Sequence, residues 1–90
     1  MYLIQPYSYK QAKRLGVLIR PSESSNKKID VFKHGDKVAS IGDVRYADYP
    51  QYLKQDKGLA EERRRLYHIR HRASGSKPNT PGWYSLNILW

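Results

Sequence analysis

Two short segments of alternating apolar and polar residues flank a His-Gly pair, and they constrain the fold more than any other feature of this chain. The segments read KIDVFK and DKVASIG, and residues 34–35 lie between them. A two-residue turn in which both residues have positive φ joins antiparallel strands, and glycine is favoured there. The sequence therefore predicts a hairpin, in which Val31 pairs with Val38 and Ile29 pairs with Ser40.

The remaining sequence predicts helices packed on this small sheet. A chain of 90 residues buries only about 60–65 % of its unfolded surface, so we expect one domain with a thin core. The fold class is α+β: a small antiparallel sheet with a hairpin, packed by a basic helix from the C-terminal half and by a docked C-terminal helical turn. The predicted segments are an N-terminal helical segment at 1–16 with its helix at about 8–15, a sheet at 17–42, a connector at 43–57, a basic helix at 58–72, a link at 73–80 and an aromatic C-terminal segment at 81–90.

Composition narrows the function classes. The chain has no cysteine, so disulfides and thiolate metal sites are excluded. Because no apolar run approaches the roughly 20 residues that span a bilayer, and no signal peptide is recognisable, we expect no membrane association and no secretion. Seventeen basic and eight acidic residues give a net charge of +9, which favours a polyanionic partner. The alternative interpretation of the charge is simple solubility.

The segment EERRRLYHIRHR, residues 61–72, concentrates this charge in five arginines and two histidines. On an ideal helix, Arg63 and Arg70 fall inside the apolar face. That face comprises five residues: Leu59, Ala60, Leu66, Tyr67 and Ile69. Buried guanidinium groups need partners, and structural ion pairs with three connector aspartates are expected: Asp43, Asp48 and Asp56. The alternative is an anion-binding cleft that contains both arginines.

The other basic residues of this helix fall on its outer side and are the candidate contacts for nucleic acid or another anion. They are Arg64, Arg65, His68, His71 and Arg72. Two histidines at helical spacing are by themselves a weak metal signal, so we expect no metal and no cofactor. A solvated basic face is the alternative interpretation.

The C-terminal segment combines a helix start at Thr80 and Pro81 with large apolar residues at helical spacing. Such a segment is expected to dock on a protein surface. The candidate docking residues are Trp83, Tyr84, Leu86 and Trp90. The sequence contains no nucleophile elbow, phosphate loop, or paired carboxylates at catalytic spacing, so we expect no enzyme.

Three stretches of the sequence resemble a family of small uncharacterised proteins of tailed phages and large DNA viruses. They are KKIDVFKHGDKVASIGDVRYADYPQYL, RRRLYHIRHR and TPGWYSLNILW, and the likeness covers residues 17–90. The matching positions are Gly42, Asp48, Tyr49, Arg63, Tyr67, Arg70, His71, Trp83, Leu89 and Trp90. The resemblance implies a viral origin and a place in the particle or on packaged DNA. It implies no catalytic activity.

Two functions follow as hypotheses. The first is a non-enzymatic virion or capsid-associated protein that docks on other virion proteins, contacts packaged nucleic acid and is multimeric in the particle. Its location would be the virion or the host cytoplasm. The second is a sequence-nonspecific DNA-binding protein outside the capsid.

Overall fold

The computed structural model describes residues 2–90, which form a three-stranded antiparallel sheet and four α-helices. In chain order the elements are α1 (Pro6–Leu15), β1 (Leu18–Pro21), β2 (Lys27–Lys33), β3 (Asp36–Asp43), α2 (Tyr49–Leu53), α3 (Lys57–Arg70) and α4 (Pro81–Ile88). The predicted α+β class is confirmed, including the hairpin and the short C-terminal helix. None of these helices combines the length and the apolar character that crossing a bilayer requires.

The first helix starts two residues earlier than predicted, at Pro6 rather than at about residue 8. Pro6 opens α1, and Ser8 is completely buried inside it, where its hydroxyl donates to the main-chain oxygen of Ile88 at 3.0 Å. Gly16 ends the helix in the left-handed conformation at φ 75°, as its position predicts. The hydroxyl of Ser8 therefore ties α1 to α4.

The hairpin forms at the predicted turn, but its register differs from the prediction. His34 and Gly35 have φ of 53° and 84°, and both values match the two-residue turn. Beyond the turn β3 carries one extra residue, so Val31 pairs with Ala39, and Ile29 pairs with Ile41. The predicted partners Val38 and Ser40 were therefore wrong. The bulge brings four apolar side chains onto one face and leaves Val38 exposed.

Side-chain caps explain where the remaining helices begin. The Asp48 carboxylate accepts from the amide of Gln51, whose side chain in turn accepts from the Asp48 amide. Asp56 accepts from the amide of Leu59 at 2.7 Å and starts α3. Thr80 caps α4 in the same way, as its position before Pro81 predicts.

The core lies between one face of the sheet and the helices. The buried apolar residues of the sheet and of the segment leading into it are Val17, Ile19, Ile29, Val31, Ala39 and Ile41. The helices and the C-terminal residues contribute Ala12, Tyr49, Ala60, Tyr84, Ile88, Leu89 and Trp90. The C-terminal segment is therefore part of the core, and it packs on both α1 and β3.

Candidate functional site

The side of α3 that faces the core differs from the one its hydrophobic pattern predicts. Ala60 is fully buried and Tyr67 is half-buried, whereas Leu66 and Ile69 are 42 % and 52 % exposed. The buried stripe is thus rotated by about 100° from the predicted apolar face. The prediction was wrong because residues distant in sequence, above all Trp90, decide which side of α3 packs inward.

Three rings form a stack beside α3, which we call the aromatic column. The indole of Trp90 lies parallel to the ring of Tyr67, with centroids 4.2 Å apart and an interplanar angle of 7°. The imidazole of His71 covers the opposite face of Tyr67 at 4.1 Å. Both faces of Tyr67 are therefore occupied, and His71 forms the end of the column.

Two residues predicted to contact phosphate hold the C-terminal segment instead. The Nε of Arg64 donates to the main-chain oxygen of Trp90 at 2.7 Å, and Nε2 of His68 lies 3.2 Å from the same oxygen. The guanidinium of Arg64 also lies over the ring of Tyr49, 5.1 Å from its centroid. Arg64 and His68 are half-buried and stabilise the fold, so the prediction that they lie on the outer side of the helix was wrong.

The predicted ion pairs of Arg63 and Arg70 are absent from residues 2–90, because the three aspartates have other partners. Asp43 pairs with Arg45 at 2.7 Å, and hydrogen bonds from Arg45 lower the pKa of Asp43 to about 2. Asp48 pairs with a lysine of β2, and Asp56 caps α3. Arg63 and Arg70 are both exposed. Their prediction as internal structural residues was therefore wrong.

The buried ion pair of this fold joins Lys28 to Asp48. The two side chains are 3 % and 1 % exposed, and Nζ of Lys28 donates to Asp48 Oδ2 at 2.9 Å and to Gln51 Oε1 at 3.0 Å. A third bond reaches the main-chain oxygen of Tyr46 at 2.6 Å, so all three ammonium protons are used.

The same network includes the N-terminal segment that precedes α1. The hydroxyl of Tyr2 donates to Asp48 Oδ2 at 2.6 Å. Burial and this hydrogen bond raise the pKa of the Tyr2 hydroxyl well above its ordinary value. The buried position of Lys28 could not be predicted from the sequence, because alternation along β2 puts Lys28 and Asp30 on one face but does not indicate that other residues cover this face.

Beside this network a cleft of about 800 Å³ opens between α3, β3 and α4. The α3 wall of the cleft consists of Arg63, Leu66, Tyr67, Arg70 and His71. The opposite walls include Lys27, Gly42 and Asp43 of the sheet, Tyr46 and Tyr52 of the connector, and Gly82, Ser85, Leu89 and Trp90 from the C-terminal segment. The cleft therefore brings together residues from all parts of the chain after β1.

The cleft carries an excess of positive charge. Lys28 is neutralised by Asp48, and the carboxylate of Asp43 is engaged by Arg45. Three exposed cations on the walls form no ion pair within residues 2–90: Lys27, Arg63 and Arg70. Arg63 lies 5.8 Å from the ring centroid of Tyr52, which fixes its direction along the wall. Burial and the charge of Arg70 lower the pKa of His71, which disfavours the charged form of its imidazole.

The remaining predicted site residues are distributed over the surface and the core. Arg65 is exposed and pairs with Glu62 at 2.7 Å, and Arg72 is exposed. Among the predicted docking residues, Tyr84 and Trp90 are 1 % and 9 % exposed. Their side chains pack into this protein's own core, so they present no surface to a partner.

The other two predicted docking residues are half-buried. Trp83 lies edge-on to Tyr84, and Leu86 packs on the backbone at Gly75, where a Cβ atom would approach it to 2.6 Å. Leu86 thus holds the link against α4. Tyr84 and Trp90 thus pack within the chain, and docking of the C-terminal segment on another protein stays a prediction.

No group of three histidine, cysteine, aspartate or glutamate side chains within residues 2–90 is arranged to hold a metal ion. Of the ten positions that carry the family resemblance, all except Tyr49 and Trp83 line the cleft. The chain matches no family model, and comparison with curated proteins and with solved structures finds no match.

Proposed function

We propose that this protein binds nucleic acid without reading its sequence and without catalysing a reaction, and that the cleft beside α3 is the binding surface. One observation carries the proposal: Arg63 and Arg70 are exposed on one wall of the cleft and have no carboxylate partner within residues 2–90. Exposed arginines with all five donors available bind phosphate oxygens with good geometry.

The spacing of these arginines also supports a chain-like anion. They are seven residues apart on α3, which separates them by about 10 Å along the helix axis. Lys27 lies on the facing wall. A polymer of phosphates can place a separate phosphate at each of these cations. The net charge of +9 would attract such a polymer from a distance.

The direct test is a fluorescence-anisotropy titration with labelled single-stranded and duplex DNA at about 50 and 200 mM salt. Affinity should fall as salt rises, because phosphate contacts release counterions. The double variant Arg63→Gln/Arg70→Gln should bind more weakly, and its slope of log affinity against log salt should be shallower by about 1.4 on single strands or about 1.8 on duplex.

A matched control removes two positive charges elsewhere. Lys10 and Lys13 are exposed on α1 and do not line the cleft, so Lys10→Gln/Lys13→Gln should retain most of the salt slope. Equal losses in the two double variants would mean that only net charge matters and that the cleft is not the site. Absence of binding at the lower salt concentration would refute nucleic-acid binding altogether.

Association with a virion or capsid protein is a second candidate, and the exposed apolar side chains of α3 favour it. Leu66 and Ile69 are 42 % and 52 % exposed beside the two arginines. Exposed apolar groups next to cations are common at interfaces between proteins. Ile69 does not line the cleft, so if this surface docks the protein in a particle, Ile69→Ser should reduce its incorporation into purified particles while DNA affinity is retained.

A further inference from the structure

We propose that the cleft accepts a single strand and holds one unpaired base against the imidazole of His71, at the end of the aromatic column. The inference rests on the proposed function and specifies its ligand. It assigns the phosphates to Arg63 and Arg70 and the base to an aromatic surface on the same wall.

The aromatic column has one end at which a further ring can stack. Tyr67 is covered on both faces, by Trp90 and by His71, and the indole of Trp90 is 9 % exposed. His71 is half-buried, lines the cleft and has only one ring face occupied by a neighbouring aromatic side chain. A base on the other face would extend the stack by one ring.

His71 is placed so that a base could stack on it while neighbouring phosphates of the same strand contact the two arginines. Arg70 directly precedes His71, and Arg63 lies on the same wall two helical turns away. A strand that follows α3 could therefore place one phosphate at each guanidinium and turn a base toward the imidazole. Stacking of bases on side-chain rings combined with a cationic groove is how proteins bind single strands without reading sequence.

The size of the cleft separates single strands from duplex. Its volume of about 800 Å³ lies in the range of pockets that hold one small ligand, and a nucleotide is of that size. A base within a duplex has both faces covered by its neighbours and cannot enter without being unpaired, which costs several kcal/mol. Duplex would therefore meet only the arginines at the rim.

The electrostatic state of His71 agrees with a stacking role. Burial and the adjacent Arg70 lower its pKa, which disfavours the charged form of the ring. The uncharged imidazole contributes no positive charge to the attraction of phosphates. Replacing it should therefore change the stacking term and leave the salt dependence to the arginines.

The experiment compares His71→Ala with His71→Phe, using labelled single-stranded and duplex oligonucleotides. In His71→Ala, affinity for the single strand should fall by about 5- to 150-fold relative to affinity for the duplex, which is the range for loss of one stacked base. Its salt slope should stay that of the unmodified protein. In His71→Phe, the aromatic face is kept, so the preference for the single strand should be retained.

A second readout reports the base directly. A single strand that contains 2-aminopurine, a fluorescent base analogue, should be quenched on binding to the unmodified protein and to His71→Phe, but much less at saturation with His71→Ala. A merely structural role of His71 would leave this quenching unchanged once the site is saturated. Thermal unfolding of both variants verifies that they are folded.

The outcomes distinguish this inference from the proposed function. If the arginine variants lose affinity but His71→Ala keeps both its single-strand preference and the quenching, the cleft binds phosphate and the base site is refuted. If His71→Phe is as weak as His71→Ala, stacking is refuted as well. If no nucleic acid binds at the lower salt concentration, both proposals fail together.

Discussion

Arg63 and Arg64 are neighbours in sequence, and their guanidinium groups have opposite environments. Arg63 is exposed on the wall of the cleft, whereas Arg64 is half-buried and donates to the main-chain oxygen of Trp90. The same contrast holds on β2, where Lys27 is exposed at the cleft and Lys28 is buried in an ion pair with Asp48. In each pair one cation stabilises the fold, and its neighbour is left available for a ligand.

The comparison shows that the sequence of a basic segment does not by itself indicate which cations bind ligands. A step of one residue turns a side chain by about 100° on a helix and by about 180° on a strand. Which of two neighbouring cations points inward is therefore decided by the elements that pack against the segment. Here those elements are the connector and the C-terminal segment.

The strongest test of the contrast is on β2. Lys28→Ala should lower the free energy of unfolding by about 3–5 kcal/mol, because it leaves the carboxylate of Asp48 buried without its cation. Lys27→Ala should change it by no more than about 0.5 kcal/mol, because that side chain is exposed. Urea denaturation would measure both changes in the free energy of unfolding, provided that the dependence of this free energy on urea concentration has the same slope in the variants and the unmodified protein.

A double variant separates two contributions to the free energy of unfolding: the cost of burying one unpaired charge and the stabilisation by the ion pair itself. Lys28→Met/Asp48→Asn removes both charges, while asparagine can still cap α2. It should be considerably more stable than Lys28→Ala. If the double variant were as unstable as the single one, the geometry of the pair, rather than the stranded charge, would explain the loss.

The next largest effect is expected on α3. Arg64→Gln should lower the free energy of unfolding by about 1.5–3 kcal/mol, the usual range for a hydrogen bond from a charged donor, while Arg63→Gln should leave it within about 0.5 kcal/mol. The order of the two variants should reverse in the DNA titration, where Arg63→Gln should be the weaker binder. Similar melting temperatures for both would contradict the inward assignment of Arg64.

The smallest effect concerns His71 and pH. Burial and Arg70 lower its pKa in the folded protein, so as pH falls below about 6.5 the unfolded chain binds a proton first. The free energy of unfolding should therefore decrease between about pH 7 and pH 5. His71→Phe cannot take up this proton, so its pH profile should be flatter. Parallel profiles for the two proteins would show that His71 does not contribute.

Local sequence signals predicted much of the fold. The turn at residues 34–35, the stop at Gly16 and the cap at Thr80 each depend on one or two adjacent residues, and the structure confirms them. Such features could be predicted because their energetics are contained within a few consecutive residues. The short helix α2 was not predicted, although Asp48 caps it and Pro50 lies in its first turn.

The candidate site could not be predicted in the same way, because it depends on contacts between distant residues. The helical wheel turned Leu66 and Ile69 inward on the basis of hydrophobicity alone. In the structure the stack of Tyr67 with Trp90, 23 positions later in the chain, fixes the rotation of α3. That rotation is what places Arg63, Arg70 and His71 in the cleft.

Because of the bulge, the length of β3 can change without a change in the geometry of the cleft. Val38 is the extra residue, and the pairs on either side of it, Phe32 with Lys37 and Val31 with Ala39, keep a regular alternation without it. Loss of this one codon would shorten the strand yet leave every later residue of β3 opposite its present partner. We therefore expect that the gene could lose this residue without rearranging Gly42 and Asp43, which line the cleft.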